Sequence, residues 1–142
     1  QEWNNDYEKI YNHLIDQKLE LLEEPVIQCE EMSKLNSTSV NTTRMVSVMN
    51  EKGEVTILAT FVRIGNGKVV DNFNSGEAKE LVKTAAKRST HVRYVGWDVA
   101  MSINGPVLIE GNQFPGHDIY QVAEKIGPHD IGVLPMFEKA LK

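Results

Sequence analysis

The segment Gly96-Trp97-Asp98-Val99-Ala100, a short turn, and then Pro106-Val107-Leu108-Ile109-Glu110-Gly111-Asn112 constrain this chain more than any other stretch. Apolar and polar residues alternate on both sides of the turn, the mark of an antiparallel hairpin. Strand side chains alternate between faces, so Glu110 and Asn112, two apart, share one face. If Asp98 joins them, two carboxylates and an amide oxygen converge. Such hard oxygen donors suit Mg²⁺ or Mn²⁺. Opposed like charges also repel across strands, so this face calls for a cation.

The turn decides whether they converge. A two-residue loop at Asn104-Gly105 pairs Asp98 with Gly111 and separates it from Glu110. A three-residue loop, Ile103-Asn104-Gly105 with Gly105 in the left-handed region, pairs Asp98 with Glu110. Asp98, Ala100, Leu108, Glu110 and Asn112 then share one face, and Trp97, Val99, Met101, Val107 and Ile109 share the other. The second register is expected, because it gathers the acids on one face and leaves the other wholly apolar. The plain alternative is a solvated hairpin with unrelated polar positions.

Along the rest of the chain, Tyr7, Ile10, Tyr11, Leu14 and Ile15 repeat at helical spacing over 6–17, with Asp6 as N-cap. A strand is expected over 19–28 and a helical turn over 30–35. A long hairpin, 43–49 and 54–64, turns at Asn50-Glu51-Lys52-Gly53. Gly65-Asn66-Gly67 reads as a turn into a strand over 68–72. A helix follows over 78–88, burying Leu81, Val82 and Ala85. Asp118 caps a helix through Ala123, and the tail, 133–141, forms a short helix. The expected fold class is α+β, an antiparallel sheet with flanking helices, in a single domain over 1–142.

Residue identities add a resemblance. The run Tyr94-Val95-Gly96-Trp97-Asp98-Val99-Ala100, then Gly105 to Asn112, then Pro115-Gly116-His117-Asp118 and Gln121, resembles the end of an ATP-grasp domain. More closely it is similar to the sugar-transfer-associated ATP-grasp family, related to α-L-glutamate ligases. Ser39-Val40-Asn41-Thr42-Thr43-Arg44, Phe61-Val62-Arg63-Ile64-Gly65 and Val70-Asp71-Asn72-Phe73 agree in order and type. The resemblance implies the C-terminal portion of that domain, with a hinge strand near 19–28 and a large lobe over 36–142. The family's upstream lid half, with its phosphate-gripping lysines, is missing, and the segment after Gly76 is shorter than the family's. The chain begins at Gln1, which reads as a fragment.

The resemblance also implies roles. Asp98, Glu110 and Asn112 would hold the Mg²⁺ or Mn²⁺ that bridges ATP phosphates, and Arg44 would be catalytic, meeting the developing negative charge. Arg44 alternates in phase with Val46 and Val48, so it lies on a mostly apolar strand face and needs an anionic partner. That partner is either a substrate or a structural acid. Glu23, Val26, Glu30, Ala100 and Leu108 would line the ATP site, with Glu23 and Val26 at the adenine hinge and Glu30 toward the ribose. A plain edge strand with charged flanks explains 19–28 nearly as well. Arg63, Asn72 and Ser75 would face the substrate, with Asn72 and Ser75 lining the acceptor site.

The activity implied is ATP-dependent joining of a carboxylate to an amine through an acyl phosphate, in cell-surface polysaccharide assembly. The partners are ATP and a small carboxylate with an amine or sugar-linked acceptor. These residues alone are expected to bind ATP weakly and to be inactive. A non-catalytic nucleotide-binding module and a metal-dependent phosphohydrolase are the alternatives. An Asp98→Asn change is expected to spare the fold while removing turnover.

Composition excludes other classes. A net charge of -5 lacks the basic stripe of a nucleic-acid binder. No apolar run reaches membrane-helix length, and one cysteine, Cys29, fits a reducing cytoplasm. His91, His117 and His129 lack the close spacing of a zinc set.

Overall fold

The computed structural model describes residues 6–21, 23–64, 69–71, 75–116 and 133–142, with 69–71 as backbone alone. Its centre is a five-stranded antiparallel sheet: β1 (Thr42–Met49), β2 (Val55–Arg63), β3 (Val69–Asp71), β4 (Tyr94–Ser102) and β5 (Gly105–Asn112). The spatial order is β3-β2-β1-β4-β5, so β1 lies at the centre between β2 and β4. The helices among the described residues are α1 (Tyr7–Asp16), α2 (Glu30–Leu35), α3 (Gly76–Arg88) and α4 (Leu134–Leu141). The expected α+β class is therefore present. The capped helix expected at Asp118 and the turn at 65–67 lie outside the described residues.

Alternation along β1 sorts the sheet into two faces. Met45 joins Val95, Trp97 and Val99 against α3, which presents Ala78, Val82 and Ala86. The i, i+4, i+8 spacing puts these on one helix stripe, and the two alanines let the helix approach the sheet closely. Burying Val82 fully is worth about 1.5–3 kcal/mol relative to exposure. On the same face Trp97 donates its indole N–H to Ser47 Oγ at 2.8 Å. Met32 of α2, with Val62 and Ile64, extends this layer. The opposite face carries Val46, Val48, Leu58 and Phe61 under α4, where Tyr94 meets Phe137 edge-on with ring centroids 5.0 Å apart.

Three expectations need correction. The strand over 19–28 is absent among the described residues: only Gln28 pairs, through a single bridge to Ser102. Flanking backbone bonds, Cys29 N–H to Met101 O at 2.8 Å and Ile103 N–H to Ile27 O at 3.0 Å, fix this join. Helix α3 starts earlier than expected, because Ser75 Oγ accepts the Ala78 N–H at 3.2 Å and so caps it.

The third correction is the hairpin loop. Ser102 pairs with Gly105, leaving a two-residue loop of Ile103 and Asn104. The Ser102 hydroxyl closes it, accepting from Asn104 N at 3.1 Å and donating to Gly105 O at 2.8 Å. Gly105 supplies the positive φ of 107°. The ladder then runs to Val99 opposite Leu108, and a bulge follows between Val99 and Asp98. Ile109 is the extra residue, and beyond it Asp98 faces Glu110 as expected. The slack expected in the loop sits in the strand instead. In consequence Leu108 lies opposite Val99 and packs with the α3 layer, not on the acid face.

Candidate functional site

The acid face is built across three adjacent strands, β1, β4 and the edge strand β5. Register sets Arg44 of β1 opposite Asp98 of β4, and Asp98 opposite Glu110 of β5. Arg44 and Asp98 are both buried, at 8 % and 4 % exposure. The guanidinium grips the carboxylate with two bonds, Nε to Oδ1 at 2.6 Å and Nη2 to Oδ2 at 2.7 Å. The third nitrogen, Nη1, donates to Pro115 O at 3.1 Å. The anionic partner that Arg44 requires is thus Asp98. A parallel fork of this kind is the strongest pairing the two side chains can make. Desolvation offsets much of the attraction, but breaking such a pair leaves a bare buried charge.

Gly96 makes room for this arrangement. A Cβ there would lie 2.5 Å from Pro115 Cβ and 3.1 Å from Arg44 Nη1. The Gly-Trp-Asp sequence therefore has a local reason on each position. Glycine admits Pro115 and the guanidinium, Trp97 fills the α3 layer, and Asp98 meets Arg44.

Arg63 approaches the same carboxylate from β2, with Nη1 3.4 Å from Asp98 Oδ2. Its side chain is 48 % exposed, against 9 % for Arg44. On the other side Glu110 is exposed, and its Oε1 accepts from Asn112 Nδ2 at 2.8 Å. Asn112 Oδ1 and Glu110 Oε2 have no protein donor among the described residues. The face thus presents a cationic flank at β2 and an oxygen-rich flank at β5, with a neutralised pair between.

The donors here are oxygens of the hard kind that Mg²⁺ and Mn²⁺ take. No cluster of three His, Cys, Asp or Glu able to hold an ion exists among the described residues. A self-sufficient cage is therefore absent there. Glu110 and Asn112 do suit a Mg²⁺ or Mn²⁺ that arrives with phosphate oxygens and water, which needs only one or two protein ligands. Asp98 already accepts from Arg44, though each carboxylate oxygen retains a second acceptor site.

The remaining expected residues scatter. Val26 lines a surface groove of about 370 Å³ with Glu24, Pro25, Ile27, Ser102, Ile103, Asn104 and Val107. Glu23 is exposed and is not among the groove residues, and Ala100 is fully buried on the acid face. Glu30 sits in the first turn of α2, paired with Lys34 at 2.9 Å. Ser75 serves as the cap of α3. Asn72 lies outside the described residues. The sequence did not reveal Pro115 as an Arg44 partner or Gln28 as an anchor. Gln28 Oε1 accepts from the Asn41 backbone at 3.1 Å and side chain at 3.2 Å, tying the segment before α2 to the start of β1.

Neither protein-family models nor characterised protein sequences match this chain. The resemblance to ATP-grasp proteins rests on the motif residues themselves. No helix among the described residues is long and apolar enough to cross a membrane.

Proposed function

We propose that this chain is the large lobe of an ATP-grasp ligase, joining a carboxylate to an amine at the expense of ATP. The observation that carries the reading is the register: Arg44, Asp98 and Glu110 in one row on one sheet face, with Arg63 beside it. Glu110 and Asn112 would hold the metal, and Asp98 stands next to them. A bound Mg²⁺ would neutralise phosphate charge and polarise the γ-phosphoryl group. The protein's part is positioning. A carboxylate oxygen attacks the γ-phosphorus, the bond to the bridging oxygen breaks, and ADP leaves. An amine nitrogen then attacks the acyl carbon, phosphate departs, and the amine proton passes to solvent. The Arg44–Asp98 pair keeps the floor of this site rigid and dry.

By the family resemblance, we read this chemistry as part of cell-surface polysaccharide assembly in the cytoplasm. The direct test supplies the gene's full product, and this chain beside it, with MgATP, a panel of amino acids and dicarboxylates, and hydroxylamine. Carboxylate-dependent ADP release with hydroxamate formation is expected of the full product. Phosphate release with water alone would make it a hydrolase. Nucleotide binding without turnover would make it a binding module.

A further inference from the structure

We infer that the groove between the end of α3 and the end of β5 is a docking site for an acidic peptide segment of a partner protein, which seats an apolar side chain there between carboxylates. The inference is independent of the ligase reading, because Val95 and Trp97 belong to the α3 side of the sheet and the Arg44–Asp98 pair to the other.

The floor of the groove is apolar and recessed. Its volume is about 560 Å³, with Val92, Val95, Trp97 and Gly111 as floor and Ser89, Asn112 and Gln113 as polar rim. That size is within the range of ligand pockets. Val95 and Trp97 are 4 % and 5 % exposed, so they lie below the surface. Gly111 sets its backbone directly on the indole: a Cβ there would stand 2.9 Å from Trp97 Cζ3 and 3.1 Å from Cε3. No side chain of Gly111 therefore fills the groove. The indole N–H is already given to Ser47 Oγ at 2.8 Å, so the floor asks for no acceptor.

The surroundings are cationic. No acid occurs between Glu80 and Asp98 in the sequence, a stretch that holds Lys83, Lys87, Arg88 and Arg93 in a chain of net charge -5. Lys83 pairs with Glu80 at 2.7 Å. Arg88 and Arg93 are exposed, and neither guanidinium has a hydrogen bond or ion pair among the described residues. Each is next in sequence to a lining residue, Arg88 to Ser89 and Arg93 to Val92. Arg88 ends α3, where a cation complements the helix dipole. Arg93 lies beyond the turn and has no such use. The mounting is ordered: Val92 N–H donates to Ser89 O at 3.1 Å, and Arg93 O accepts from Met49 N–H at 2.7 Å.

Charge and shape select the occupant. Two unpartnered guanidinium groups call for at least two carboxylates. The floor beside them calls for an apolar group carried by the same ligand. An apolar anchor within a polar rim is how protein partners hold one another. A flat anionic bilayer meets the arginines but does not reach a recessed floor, whereas a peptide side chain does. Phe114, 84 % exposed and next to Gln113, extends the apolar contact beyond the groove.

The test titrates the isotope-labelled chain, followed by NMR, with the capped peptide Asp-Glu-Phe-Glu-Asp. The controls are its amide counterpart Asn-Gln-Phe-Gln-Asn and the truncated Asp-Glu-Ala-Glu-Asp. The first peptide is expected to shift the Val92 and Gly111 amides and the Trp97 indole N–H. Each control should bind about tenfold more weakly, and added salt should weaken the first peptide. Arg88→Gln combined with Arg93→Gln should cost the first peptide about tenfold in affinity and leave the thermal midpoint unchanged. Absence of shifts at Val92, Gly111 and Trp97, equal binding of the three peptides, or full affinity in the double variant overturns the inference. Binding to phosphatidylglycerol vesicles that the double variant abolishes, without those peptide shifts, assigns the patch to a membrane and overturns it as well.

Discussion

Gly96 and Pro115 are in contact because one of them has no side chain: a Cβ on Gly96 would come within 2.5 Å of Pro115 Cβ. Pro115 in turn offers its carbonyl to Arg44 Nη1. Gly96→Ala is expected to destabilise the fold by about 1–3 kcal/mol through overpacking, read as a lowered urea midpoint. An unchanged midpoint would show that Pro115 gives way freely and does not buttress Arg44.

Asp98 carries structural weight that its sequence position did not disclose. Asp98→Asn leaves Arg44 buried and without its carboxylate, and a loss of about 3–5 kcal/mol is expected. The expectation that this change would spare the fold is revised accordingly. The double variant Arg44→Met with Asp98→Leu should recover most of that loss, because apolar replacement of a buried pair is often neutral. Equal damage from the single and double variants would assign the cost to shape, not charge.

Glu110 separates site from scaffold. It is exposed, and its recorded partner is Asn112 on the same strand. Glu110→Gln should therefore leave the unfolding midpoint unchanged. Affinity for Mn²⁺ with ATP should fall at least as far as the roughly tenfold loss typical of residues behind metal ligands. Electron paramagnetic resonance of Mn²⁺ measures this directly. Full retention of Mn²⁺ affinity would remove Glu110 from the metal site.

Helix α1 should fray from its N-terminus in acid. The Lys9 side chain, and then the Lys9 backbone N–H, hold the Asp6 carboxyl below the ordinary aspartate range. A carboxyl depressed on folding stabilises above its unfolded pKa and loses that contribution as pH falls through its folded one. The protection factor of the Lys9 amide should fall as pH drops through that acid window and stay flat from there to neutrality. A protection factor unchanged across the window would show that the cap contributes nothing.

The sheet was legible because alternation is a strong local signal: Arg44 in phase with Val46 and Val48 placed a charge on a buried face. The pairing of Asp98 with Glu110 was anticipated with the wrong loop. Ser102 captures the turn through a side-chain bond, a short-range effect that strand periodicity does not register, and the bulge at Ile109 restores the offset. Leu108 fell on the other face for that reason. Ser75 looked like a loop residue near a site, yet a serine just before a helical stretch has capping as its simplest use. The hinge strand failed because exposed Leu19, Leu21 and Ile27 resemble a strand in composition, while among the described residues pairing is limited to the bridge at Gln28. Which anion Arg44 would meet was beyond the sequence, since Asp98 is distant along the chain.

The join at Ile27 to Cys29 has a mechanical consequence. Helix α1 buries none of its residues, and among the described residues the N-terminal arm joins the sheet by backbone bonds at the end of β4. A pull or twist on that arm is delivered to Met101 and Ile103, at the end of the strand that carries Asp98. The Gln28 amide, tied to Asn41 at the start of β1, passes the same load to the strand that carries Arg44. The arm is thus a lever whose fulcrum sits at the ends of the two strands that carry the buried pair.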